Sequence, residues 1–193
     1  MPTKARITRE KIVEGAFDLI RAQGHEALTA RALAARLGCS TQPLLYHFPG
    51  VEAILDAAYA RADAFHTDYI LSEDGDATDP MLGIGLRYIR FAAEEPRLFR
   101  FLFQSNRFQG RSLRELIASP EVAPLLAPLN MAPDQAWEAF ELLFVAVHGC
   151  ASLLANNAMR YDPDSAKAML LRLGEAVLGQ GTEDSRDEAV QKE

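Results

Sequence analysis

The sequence predicts an all-α protein, and three observations predict it. Apolar residues recur every three or four positions along most of the chain, the spacing that gathers them on one face of a helix. No segment alternates apolar and polar residues as a sheet strand does. Proline and glycine fall between the periodic stretches, where helices start and stop. Three short N-terminal helices are expected within residues 1–50, a larger helical C-terminal domain over 51–180, and a disordered tail over 181–193, which is short of large apolar residues. An apolar fraction of 49% is ample for cores in a chain of 193 residues.

The first helix is capped by Thr8, buries Ile12, Val13, Ala16, Phe17 and Ile20, and stops at Gly24. Thr29 caps a second, alanine-rich helix whose inward face is Ala32, Leu33 and Leu37. Gly38-Cys39-Ser40 then has the length of the turn in a helix-turn-helix, because glycine accepts the positive φ that ends a helix sharply. Ser40 is expected to cap the third helix, with Pro43 tolerated in the first turn and Leu44 turned inward. Thr41 and Gln42 then project from its N-terminal end, the arrangement that enters a DNA major groove.

The order Gly24, Leu28-Thr29, Leu33-Ala34, Leu37-Gly38, Ser40, Leu44 and Tyr46-His47-Phe48-Pro49 resembles the DNA-binding domain of TetR-type transcriptional regulators. Further on, Phe91–Phe103 and Val145–Met159 resemble the effector-binding part of a TetR subgroup with an HG-containing helix. The resemblance implies a helical ligand-binding and dimerisation domain behind a helix-turn-helix reader. It also implies sequence-specific DNA binding, repression relieved by an effector, and no enzymatic activity. Two positions depart from the family: Leu45 stands where relatives carry a tyrosine, and Val51 where they carry a lysine, both phosphate contacts there. A rival reading of another class is therefore a ligand-binding or protein-interaction module whose helix-turn-helix no longer reads DNA.

Charge favours the first reading. Residues 1–50 hold seven Lys/Arg against four Asp/Glu, net +3, which leaves -10 for the rest of a chain whose total is -7. Only the N-terminal piece has the sign that phosphate binding rewards.

After Pro49-Gly50 a long fourth helix runs through Ile54, Leu55, Ala58, Ala62 and Phe65, and the acidic, turn-rich stretch 72–80 closes it. Asp79-Pro80 opens a fifth helix and Pro96 a sixth. Gly83 and Gly85, within the fifth, read as close helix packing, since no strand precedes them. Prolines at 120, 124, 128 and 133 break the following region. The last two helices begin at Pro133 and Asp162-Pro163 and carry more apolar surface than one packing face needs. They are expected to pair with a second copy, as in TetR dimers, through Val147, Ala151, Leu154, Met169, Leu170, Leu173 and Val177.

Arg31 is the guanidinium placed to meet a base edge. Ser40, Thr41, Gln42 and Pro43 join it, Gln42 suiting adenine and Pro43 a thymine methyl. Lys4, Thr29, Tyr46 and His47 are expected to position the DNA backbone. The expected partners are double-stranded DNA with a pseudo-palindromic operator, a second copy of the chain, and a small, largely apolar effector held among Phe91, Phe99, Phe103, Trp137, Phe144 and His148. Sequence motifs for hydrolases, zinc proteases and phosphate-binding loops are absent, the four histidines are widely spaced, and no metal or cofactor is expected. Two distant cysteines and no apolar leader indicate a cytoplasmic protein. The apolar run Leu142–Ala155 is read as shorter than the ~20 residues that a bilayer requires.

Overall fold

The computed structural model describes residues 7–72, 79–107, 112–118 and 122–190. Among these the chain is all-α, with ten helices: α1 (Arg9–Gln23), α2 (Ala30–Arg36), α3 (Gln42–His47), α4 (Val51–Ile70), α5 (Pro80–Glu94), α6 (Pro96–Gln104), α7 (Leu113–Ile117), α8 (Val122–Leu126), α9 (Pro133–Ala155) and α10 (Pro163–Val190). Single 3₁₀ turns lie at His25–Ala27 and Ala127–Leu129. The broken region resolves into α7, opened by a Ser112/Glu115 capping box, and α8. Helix α10 continues to Val190, past the expected boundary at 180. No proline follows Pro163, and glycine weakens a helix by only ~1 kcal/mol without forbidding it.

The helices form two compact units, and neither follows the expected cut after residue 50. The first takes Met1–Tyr69 together with Glu95–Arg107. Its core is Ile12, Ala16 and Ile20 of α1, Leu33 of α2, Leu44 of α3, Ile54, Ala58 and Ala62 of α4, and Leu98, Phe99, Phe101 and Leu102 of α6. Gly15 lets α1 approach closely, since a Cβ there would lie 2.8 Å from Leu37 Cδ2. Ion pairs surround this core. Arg21 Nε donates to both oxygens of Glu95 at 3.0 and 2.9 Å, Arg61 pairs with Glu14, and Arg107 with Glu52 and Asp56. Each such exposed pair is worth at most about 1 kcal/mol, while each fully buried large side chain of α6 is worth about 1.5–3 kcal/mol. Apolar burial therefore holds α6 in this unit.

The second unit takes Ile70–Glu94 and Phe108–Glu193, and α5 packs on both α9 and α10. Asp79 caps α5 as expected, its Oδ1 accepting from Met81 N–H at 2.8 Å. Gly85 serves close packing, a Cβ there standing 3.1 Å from Leu170 Cδ1. Arg87 is buried, and its Nε donates to the Ile70 carbonyl at 2.7 Å. A smaller cluster joins Val122, Leu126 and Ala136 with Met81, Leu129, Met131, Trp137 and Phe140.

Helix α9 extends the apolar run: it is long enough to cross a bilayer, and an 18-residue stretch of it has a mean hydropathy of 1.5. Its Ala136, Ala139, Val147, Cys150, Ala151 and Leu154 are nevertheless buried inside the unit. The large apolar side chains left exposed on it are Leu142, Val145 and Leu153, with Leu171 on α10.

Candidate nucleic-acid interface and sensor residues

The helix-turn-helix is built by local rules. Thr29 Oγ1 accepts from Ala32 N–H at 3.1 Å and caps α2. At the other end Gly38 takes φ +64°. Its N–H bonds the Ala35 carbonyl at 3.2 Å, and Cys39 N–H bonds that of Ala34 at 3.0 Å. These two bonds satisfy the last carbonyls and turn the chain. Thr41, not Ser40, occupies the cap position of α3; its backbone is already helical and its side chain makes no capping bond. Pro43 in the first turn removes one of the N–H groups that would otherwise lack an intrahelical acceptor.

Leu44 is wholly buried and fixes the rotation of α3. Gln42, Leu45 and Tyr46, spaced i, i+3 and i+4, are consequently exposed on one outward face. Ser40 is exposed beside them, whereas Thr41 and Pro43 are half-buried. Arg31 is exposed on α2, while Arg36 is engaged by Asp18 Oδ2 at 3.0 Å. His47 has a different task from a free phosphate contact: its Nε2 lies 3.1 Å from the Ile7 carbonyl oxygen. It thereby ties the end of α3 to Ile7, two residues ahead of α1. Arg9 lies over the Phe48 ring at 4.7 Å, another brace at this corner. Lys4 lies outside the described residues.

The six expected sensor residues divide between the units. Phe99 and Phe103 belong to the first, with centroids 4.9 Å apart and Phe99 wholly buried. Phe91, Trp137, Phe144 and His148 belong to the second, where Phe91 is wholly buried and Trp137 lies under the Arg114 guanidinium at 5.5 Å. His148 and Phe144 stack at 5.5 Å, and Tyr88 meets both.

The Tyr88 hydroxyl and His148 Nδ1 are 2.8 Å apart. Burial raises the pKa of the phenol and lowers that of the imidazole, so both groups stay neutral and share one hydrogen bond, whose direction follows the tautomer of the ring. Nothing in the sequence pointed to Tyr88, which lies 60 residues from its partner. Cavities of about 410, 380 and 230 Å³ in the second unit are lined by other residues; the 380 Å³ cavity lies among Met81, Leu82, Leu143, Val147, Leu170 and Leu178.

Of the seven expected interface residues, Val147, Ala151, Leu154 and Leu170 are buried within the unit, and Met169, Leu173 and Val177 are half-buried. Among the described residues, no group of three or more His, Cys, Asp or Glu is placed to hold a metal.

Comparison with known proteins gives matches to both parts of the chain. Residues 12–58 match the bacterial regulatory proteins of the tetR family, and residues 81–176 match the tetracyclin repressor-like C-terminal domain. The class D tetracycline repressor protein of Escherichia coli is 35% identical over 78 residues, 40% of this chain and 36% of that protein. The class C protein of the same organism is 38% identical over 72 residues, 37% of this chain and 33% of that protein. The matched stretch thus spans about a third of the length of these curated relatives. The crystal structure of TetR from Acinetobacter baumannii AYE shares the fold, with a TM-score of 0.59 at 17% identity over 90% of this chain and 96% of that one. The N-terminal match covers all of the helix-turn-helix, the C-terminal match runs from α5 through all of α9 and the first half of α10, and the chain belongs to the TetR family of bacterial regulatory proteins.

Proposed function

We propose that this protein is a sequence-specific DNA-binding transcriptional regulator, a cytoplasmic repressor that leaves its operator when a small, largely apolar effector binds. The observation that carries this reading is the outward face of α3, set by a capped α2, a closed glycine turn and the buried Leu44. A helix held in this way presents its N-terminal side chains to a major groove. Arg31, Gln42 and Ser40 are the base and backbone contacts, with Thr29 and Thr41 at the helix starts.

Two copies are required, because a pseudo-palindromic site presents its half-sites 34–36 Å apart on one side of the duplex. The exposed Leu142, Val145 and Leu153 of α9 and Leu171 of α10 supply an apolar surface for that pairing. For the effector, the Tyr88–Phe144–His148 cluster offers aromatic surface and a hydrogen-bonded pair that a ligand could re-engage. A ligand that binds one conformation of the dimer better than the DNA-bound one shifts the population away from DNA. No catalytic step enters this account.

A second reading is favoured by the lack of Lys or Arg on α3 and by Val51 at the start of α4. On that view the helix-turn-helix has lost its phosphate anchors and the chain is a ligand- or protein-binding module. One titration separates the two. The purified protein is mixed with fluorescent duplex DNA carrying its own upstream region, at two salt concentrations and with competitor DNA. Specific, salt-sensitive binding of a dimer supports the regulator; equal affinity for competitor supports the module.

A further inference from the structure

Nine large apolar side chains stand exposed among the described residues, and only Leu45 (58%) and Tyr46 (79%) belong to the first unit. They are neighbours on α3 and share its outward face with Gln42. Every other large apolar side chain described in that unit is at least partly withdrawn from water, so this pair marks a place where apolar contact is kept available. The same helix carries no Lys or Arg, Arg36 is engaged by Asp18, and His47 is engaged by the Ile7 carbonyl. The surface offered to a groove is therefore an amide, a branched aliphatic chain and a phenol.

In the major groove only one natural base presents an apolar group, the C5 methyl of thymine. Leu45 set against that methyl removes apolar area from water and leaves no polar group unsatisfied. Set against the amino group of cytosine, or N7 and O6 of guanine, it would strip water from a donor or acceptor and give nothing back. Tyr46 differs, since its hydroxyl finds a partner on a phosphate or a base edge, and its ring already braces edge-on against His47 at 5.1 Å. Gln42, one turn before Tyr46, has the paired donor and acceptor that suit adenine.

We infer that Leu45 is a specificity-determining residue that reads a thymine methyl, and that the base pairs facing α3 in each half-site are A·T. This rests on the DNA-reading function proposed above. The departure from the family's tyrosine at this position then exchanges a backbone contact for a base contact. Binding comes to depend on methyl groups more and on phosphates less.

The test uses the full-length protein. An operator is first enriched from a pool of random-sequence duplexes. Each thymine of the enriched operator is then replaced singly by deoxyuracil, which removes only the methyl. The expected result is a loss of about fourfold per half-site at one position under α3, the size of one buried methyl group. Leu45→Ala, whose exposed position leaves helix content unchanged by circular dichroism, binds the thymine operator more weakly and is indifferent to uracil at that position. A uracil scan that is flat beneath α3, or a penalty that persists in Leu45→Ala, overturns the inference and turns the patch into a protein-docking surface. A pool from which no sequence is enriched removes the DNA-reading function, and this inference with it.

Discussion

His66 shows what a single residue's surroundings can do in this protein. It lies on α4 with 6% of its surface exposed, its ring edge-on to Phe103 at 5.2 Å, and burial lowers its pKa from 6.5 to about 4. The folded form holds the imidazole neutral, whereas the unfolded chain takes up a proton as soon as the pH drops below 6.5. Stability is therefore full above pH 6.5 and falls as the pH is lowered towards 4, by up to about 3 kcal/mol. Denaturant midpoints at pH 7.5 and 5 should show the drop, and His66→Leu should flatten it. An unchanged slope in that variant would assign the pH dependence elsewhere. At this scale the sequence was legible wherever the physics is local: Thr29 as a cap, Gly38 as a turn, Leu44 as the inward residue of α3. It was not legible for His66, or for the Tyr88–His148 bond, because both depend on side chains brought in from distant segments.

Among the elements, the two long C-terminal helices carried the clearest pattern, though not the direction in which each stripe faces. Their apolar excess suggested a second packing face, but periodicity cannot say which stripe turns inward. The structure places Leu170 over Gly85 and Val147, Ala151 and Leu154 inside the unit, leaving Leu142, Val145, Leu153 and Leu171 outside. A charge at the two kinds of position should accordingly have different effects. Leu153→Asp is expected to give a folded monomer by sedimentation, with the helix content of the parent protein. Leu170→Asp buries an unpaired carboxylate against α5, which costs several kcal/mol, and it should lower the melting temperature sharply. If Leu153→Asp sedimented as an intact dimer, the interface would not include that face. Helix starts at Pro80, Pro96, Pro133 and Pro163 were legible because proline marks a first turn. Helices α7 and α8, five residues each, are too short for periodicity to reveal.

For the whole molecule, composition alone misleads. A pI near 5.2 argues against nucleic acid, and only the division of charge along the chain recovers the basic reader. Division along the chain fails, in turn, for the compact units, since a cut after residue 50 follows sequence continuity and the first unit does not. That unit needs Glu95–Arg107: α6 supplies four wholly buried side chains, and Glu95 holds Arg21. A fragment ending at Ile70 should consequently lose cooperative unfolding, and restoring 95–107 through a flexible linker should recover it; a sharp thermal transition in the shorter fragment would refute this. The feature also matters to anyone building hybrid regulators. A swap made at one junction would carry away a reading head with part of its floor missing, so a working graft has to transplant two separate stretches of gene at once.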